Sequence, residues 1–184
     1  EFLRFKGGPS DRDTVRLHYY EYILYGGYPR VVLAPLAQKK EILEELAYSY
    51  IKKDIQEAKV RQEEVFYELF KITAATIGNL INASELASTL GVSKTIIDRY
   101  LFVMQKSFHL RLIRPFFRNV RKELRKMPKA YFYDLGLRNF FAGGFTGYAE
   151  RTDRGALLEN AVFRQLLDVV PEDAITYWST PGQH

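Results

Sequence analysis

The sequence predicts an α+β fold, mostly α, with a helical N-terminal segment, a central winged helix-turn-helix and the start of a C-terminal α/β unit. Three observations carry this. Residues 82–100 have the spacing of two helices joined by a tight turn, with small Ala87 placed for a helix crossing, Gly91 for the turn, and Leu86, Leu90, Val92, Ile97 and Leu101 at core positions. Apolar residues recur at three- and four-residue steps through 38–60 and 63–79, the period of amphipathic helices. Two short apolar stretches, 110–117 and 129–133, flank a strongly basic segment and read as the strands of a hairpin or wing.

Taken in order, residues 17–25 read as an apolar, tyrosine-rich helix. Gly26-Gly27 supplies the left-handed residue that commonly ends one, and Pro29 keeps the helix from resuming at once. In the helix expected over 38–60, Ile42, Leu43, Leu46, Tyr50, Ile51 and Ile55 form the apolar stripe, opposite a solvated face with Lys39, Glu44, Lys52 and Lys53. The next helix, 63–79, turns Val65, Phe66, Leu69, Phe70 and Ile72 inward as the first helix of the winged unit. Ser84 is the expected N-cap of a helix over 85–90 and Ser93 of one over 94–106, because a hydroxyl satisfies free helix-end N–H groups. Asp134 is placed to cap a helix through Phe141. A loop at 143–147, a helix over 155–169 and a strand starting at 174–178 complete the pattern. The expected divisions are 1–62, 63–133 and 134–184.

Composition narrows the function classes. At 184 residues and 47% hydrophobic content the chain buries a core of its own, and no apolar run reaches the length of a membrane span. No secretory signal is visible, and a start at Glu1 rather than Met leads to the expectation of a processed or excised segment. The absence of cysteine excludes disulfides and cysteine-ligated zinc and fits a cytoplasmic protein. Net charge is +5, but residues 111–129 carry eight basic residues against Glu123, a local +7 that leaves −2 for the remainder. Such a patch attracts polyanions or an acidic protein face, and its bland alternative is a solvated or interdomain face.

The candidate chemistry is sparse. On the second helix of the pair, Lys94 and Arg99 are the side chains a DNA reader would use, while Asp98 and Phe102 on or near the same face oppose that role. The phosphate-contact candidates are Arg111, Arg114, Arg118, Arg121, Lys122, Arg125, Lys126 and Lys129. His18, His109 and His184 have no spacing that puts two on one helix face, so no metal site is expected. There is no nucleophile elbow and no Walker phosphate loop. Glu159, beside Leu158 and Val162, is a weak catalytic candidate: a carboxylate there holds a metal only with further acidic and lysine partners, and is otherwise an ordinary polar helix residue.

With these pieces in order, the chain resembles the C-terminal part of a family of bacterial and archaeal AAA-type ATPases. The matching segments are Glu1-Phe2-Leu3, Gly26-Gly27-Tyr28-Pro29, Lys53-Asp54-Ile55, Gly91-Val92-Ser93, YFYDLGLRN at 131–139, GALLENAV at 155–162 and Tyr177-Trp178. The resemblance implies a P-loop module, a helical lid, a winged helix and a restriction-endonuclease-like domain of unknown function. It implies that Gly26, Gly27 and Pro29 lie in a lid motif beside the adenine of ATP held by the P-loop module; a plain helix stop and turn is the local alternative. Glu159 matches the first acidic position of the nuclease-like fold. The family's following Gly-x-Glu-Val-Asp-Phe type segment and lysine strand do not appear before Gly182-Gln183-His184, and Ser179 stands where an arginine is expected. The expected function is an accessory region of an AAA-type ATPase, not itself an enzyme, that couples nucleotide state to a partner. That coupling runs to a protein or nucleic-acid partner through the winged helix, and the ATPase module of the same parent chain is itself an expected partner, with ATP and Mg expected for the intact parent and no cofactor in this segment. The alternatives are a nonspecific nucleic-acid-binding module that uses the basic wing on DNA, and part of a metal-dependent nuclease. No membrane partner is expected, and the oligomeric state is left open.

Overall fold

A computed structural model describes residues 2–8, 11–117, 119, 123 and 125–178. Nine helices and two strands are named here: α1 (Phe2–Phe5), α2 (Arg12–Tyr25), α3 (Pro29–Leu33), α4 (Lys39–Glu57), α5 (Glu63–Ala75), α6 (Ala83–Thr89), α7 (Lys94–Lys106), β1 (Leu110–Ile113), β2 (Lys129–Phe132), α8 (Leu135–Phe141) and α9 (Arg154–Leu166). The protein is α+β and mostly α. Its one sheet among the described residues is an antiparallel pair in which Leu110 faces Phe132 and Ile113 faces Lys129.

Several elements differ from the sequence expectation for local reasons. Helix α2 begins at Arg12, not near residue 17, because the Asp11 carboxylate accepts the N–H groups of Asp13 and Thr14 and caps an earlier start. Pro29 opens α3 instead of holding off a helix; at the first helical position its missing N–H costs nothing. The cap of α6 is Asn82, whose side chain accepts from Ser84 and Glu85 N–H, so Ser84 sits inside the first turn. Ser93 occupies the N-cap position of α7 but makes no side-chain cap bond. Helix α5 stops at Ala75, short of 79. The expected strand over 110–117 ends at Ile113, beyond which Pro115 forms a single parallel bridge to Tyr177. Around 174–178 that bridge is the only pairing among the described residues, preceded by a 3-10 turn at Glu172–Ala174.

The largest buried cluster runs through Ile23 of α2, Ile51 of α4, Phe66 and Phe70 of α5, Leu86 of α6, Ile97 and Met104 of α7, Leu110 and Phe132 of the sheet, Leu137 of α8 and Leu157 of α9. This cluster draws buried residues from Ile23 through Ala161, and two smaller clusters stand beside it. Phe70 is its aromatic centre, with Phe141 at 4.4 Å, His109 at 5.2 Å and Phe132 at 5.6 Å between ring centroids. Burying rings of this size contributes about 2–3 kcal/mol each.

Candidate functional site

Helix α8 and the strand before it form a hub. Asp134 caps α8 by accepting the Leu137 N–H at 2.8 Å, and its second oxygen accepts the Gly27 N–H, also at 2.8 Å. One carboxylate thus fixes both the helix start and the loop that leaves α2. Burial pushes its pKa up, while the N–H groups of Gly27, Leu137, Gly136 and Tyr28 oppose that shift. The approach is close enough to require glycine on both sides. A Cβ on Gly26, whose φ is +76°, would lie 2.3 Å from Asp134 Oδ1, and one on Gly136 would lie 2.2 Å from the Tyr25 carbonyl oxygen.

The rest of this stretch binds neighbouring elements in turn. Asn139 Nδ2 donates to the Ile23 and Leu24 carbonyls at 2.9 Å each, satisfying acceptors at the end of α2. Buried Arg138 donates from Nε to the Ala74 carbonyl at 2.7 Å and from Nη1 to Asp153 at 2.5 Å. Asp153 also receives Arg151. Partial burial raises its pKa, but the Arg151 and Arg138 bonds outweigh that and hold it at about 2. Asn160 of α9 mimics a strand, accepting the Phe132 N–H at 2.7 Å and donating to the Phe132 carbonyl at 2.8 Å. The YFYDLGLRN stretch is in this way a knot of hydrogen bonds joining α2, α5, β2 and α9.

Beside the hub opens a cleft of about 1750 Å³. Tyr19, Tyr22, Tyr28, Tyr50 and Tyr133 give it an aromatic lining, and Lys53, Asp54, Glu57, Arg164, Asp168 and Glu172 add charge of both signs. Burial, with the nearby Asp134 charge, raises the Tyr22 hydroxyl to about 12, and the same two causes raise Tyr28 further. Also lining the cleft is a pair the sequence did not reveal: Asp54 of α4 is hydrogen-bonded to Nε2 of His109, the residue just before β1. His109 is 97% buried and its Nδ1 has no hydrogen-bond partner among the described residues. No short-range signal marks this pair, because 55 residues separate its members.

The structure sorts the sequence candidates. Gly27 lines the cleft beside Tyr28, with Gly26 just before it; Pro29 turns away into α3. Lys94 pairs with Asp98 at 2.5 Å, and Arg99 donates to the Ala58 carbonyl at 2.8 Å, so both held reader candidates are engaged within the fold. Arg111 pairs with Glu172 at 2.7 Å and Asp173 at 2.9 Å. Lys129 pairs with Glu159 at 3.1 Å. The Arg114 carbonyl accepts the Tyr177 N–H, the Lys126 N–H donates to the Glu123 carbonyl, and Arg125 is exposed. Arg118, Arg121 and Lys122 lie outside the described residues. Glu159 accepts the Tyr131 hydroxyl at 2.5 Å besides Lys129, and among the described residues no three His, Asp or Glu side chains are grouped to hold a metal ion.

Comparison with known proteins gives the class first. The chain belongs to the family described as "Domain of unknown function (DUF8612)", whose model matches residues 16–147, a span that takes in the α2–α3 loop, the cleft pair and α8 of the hub, and ends before Arg151, Asp153 and Asn160. Among individual relatives, it is similar to an uncharacterized protein of Haemophilus influenzae, 30% identical over 174 residues, which covers 91% of this chain and 42% of that protein. It is also similar to uncharacterized proteins of Mycobacterium bovis and Mycobacterium tuberculosis, each 34% identical over 105 residues, covering 56% of this chain and 24% of theirs. The chain thus spans less than half the length of these curated relatives. No solved structure gives a significant match. None of the helices among the described residues is long and apolar enough to cross a membrane.

Proposed function

We propose that this chain is the accessory region of an AAA-type ATPase, a lid joined to a winged helix, which couples the nucleotide state of a neighbouring P-loop module to a partner. The observation that carries the reading is the double use of Asp134. The loop that the resemblance puts beside the adenine, Gly26 to Pro29, is fastened through Gly27 N–H to the carboxylate that starts α8. A displacement of that loop therefore moves α8, and with it α2, α5 and α9 through Asn139, Arg138 and Asn160. Packed elements of this kind shift as rigid bodies.

The chemistry of the wall fits a nucleotide base in one respect and limits it in another. Tyr22 and Tyr28 line the cleft, whereas the Gly27 N–H is already committed to Asp134 and is not free to donate to a base. ATP with Mg would supply phosphoryl transfer on the P-loop module, and the residues of this chain would only sense and relay its presence. A cleft of about 1750 Å³ exceeds the ~300–1,000 Å³ usual for a single small molecule, which supports a seat for a neighbouring module. A cytoplasmic setting fits the cysteine-free sequence.

Hydrogen exchange on the full-length polypeptide, with and without ATP and Mg, tests this. The expected result is a joint change in protection at the Gly27, Tyr28 and Leu137 amides. A polypeptide that binds no ATP, or one whose amides at these positions exchange identically in both states, overturns the reading.

A further inference from the structure

One corner of the cleft wall is not used by the nucleotide-coupling reading. Tyr28, just before α3, and Tyr50 of α4 bring their rings to 5.8 Å between centroids, tilted by 50°. Asp54 follows Tyr50 by one helical turn on the same face of α4, and all three side chains line the cleft. The corner is electronegative. Asp54 is 12% exposed, and its bond to His109 occupies one oxygen, Oδ2. His109 does not cancel that charge: a second ring proton would sit on Nδ1, which is buried with no hydrogen-bond partner among the described residues, so the surroundings favour the neutral ring. The Tyr28 hydroxyl reports the resulting field, since burial raises its pKa most and the Asp134 and Asp54 carboxylates add to the shift. Among the described residues no cation lies over either tyrosine; the rings that carry one are Tyr20, Phe102 and Tyr177. Of the five Lys and Arg side chains on the cleft wall, four are engaged elsewhere: Lys53 with Glu57 at 3.7 Å, Arg164 with Asp168 at 2.9 Å, Arg16 with the Tyr20 hydroxyl at 2.9 Å and Lys106 with the Phe102 ring at 5.6 Å. The fifth, Arg12, forms no ion pair with Asp54.

We infer that Tyr28, Tyr50 and Asp54 form a seat for a guanidinium group, supplied by an arginine side chain of the polypeptide that occupies the cleft. A cation is drawn both to the electron-rich face of a tyrosine and to a carboxylate. Guanidinium is planar, so it lies against a ring while its N–H groups donate to a carboxylate oxygen at the edge. Other occupants fit less well. A nucleotide brings phosphates that Asp54 and Asp134 repel, and an apolar side chain would cover Asp54 without giving its oxygen a donor. All three residues fall inside the span 16–147 that the family model matches. The inference rests on the proposed function only for the source of the arginine, because a neighbouring module seated in the cleft is what brings a polypeptide to this wall.

NMR titration of this chain with N-acetyl-argininamide tests the seat in the absence of any neighbouring module, so its failure and that of the ATP-dependent exchange experiment are separate results. The expected outcome is a saturable shift of the Tyr28 and Tyr50 ring signals. N-acetyl-citrullinamide has nearly the same shape without the charge and is expected to bind at least about tenfold more weakly. Asp54→Asn keeps an oxygen for His109 Nε2 and is expected to weaken argininamide binding about tenfold. Tyr50→Leu alters a partly exposed ring and is expected to weaken it about threefold. Far-UV circular dichroism verifies the fold of both variants. Equal shifts with the citrulline compound, or no shift with either compound, overturn the site, as does argininamide binding that both substitutions leave unchanged. Ring shifts with adenosine but not with argininamide overturn it too and give the two rings to a nucleotide base.

Discussion

Replacing Gly26 by alanine probes the junction on which the coupling reading depends, and the structure gives the size of the effect. Gly26 has φ +76° and ψ −162°, a region that side chains other than glycine occupy at a cost of about 1–3 kcal/mol. The added Cβ would also lie 2.3 and 2.4 Å from the two carboxylate oxygens of Asp134 and 2.6 Å from its Cγ. Asp134 would have to withdraw, and each hydrogen bond it makes as a charged acceptor, from Gly27 or Leu137, is worth about 1.5–3 kcal/mol. Losing one of the two brings the total to about 3–6 kcal/mol, a large share of the ~5–15 kcal/mol that holds an ordinary domain together. Gly91 is the control: its φ is +65°, but a Cβ there meets nothing within 4 Å, so Gly91→Ala should cost only about 1 kcal/mol. Urea unfolding followed by circular dichroism measures both. A double-mutant cycle with Asp134→Ala sharpens the comparison, because removing the carboxylate removes the clash and leaves Gly26→Ala only its backbone cost, a coupling of at least about 1.5 kcal/mol. Equal costs for Gly26→Ala and Gly91→Ala, or strict additivity with Asp134→Ala, would refute the account of the junction.

Two further predictions concern the hub. Asn160→Ala leaves the Phe132 N–H and carbonyl buried without partners and is expected to cost about 2–4 kcal/mol, seen as a lower Tm and faster exchange of the Phe132 amide; unchanged exchange there counts against the strand-mimic role. Asp153, held at about 2 against an ordinary 3.8, contributes stability that is complete above 3.8 and is lost as pH falls toward 2. After allowance for its partial exposure that amounts to about 1–2 kcal/mol, so Asp153→Asn should flatten acid unfolding in that window, and an unaltered slope would remove Asp153 from the acid transition. Asp134 acts with the opposite sign, its raised pKa giving stability that is present at low pH and lost as pH rises through the folded value, and the asparagine comparison at 153 leaves it untouched.

Local patterns decided what local energies control. The apolar periods placed α4, α5, α7 and α9 within a few residues, the Asp134 cap was readable from its position before an apolar run, and the strands on either side of the basic segment pair with each other. Helix ends were less legible where two polar residues compete: Asn82 and Ser84 are both good caps, and the one whose oxygen reaches two free N–H groups wins. Near Pro29 the sequence signal was ambiguous in principle, since proline that breaks a helix interior also starts one.

The amino-acid sequence alone thus settled the α+β, mostly helical class, the helix pair around Gly91 and the concentration of positive charge in 111–129, because each depends on residues within one or two turns or on composition. Tertiary structure alone decided what those charges and motifs touch. Arg99, Arg111 and Lys129 look identical in the sequence to free cations, and only folding brings each its acceptor, whereas the Lys94–Asp98 pair is local to one helix face. Gly27 meets Asp134 across 107 residues, and His109 meets Asp54 across 55. Periodicity carries no information at such separations, since these contacts form only when burial of the shared core draws distant segments together.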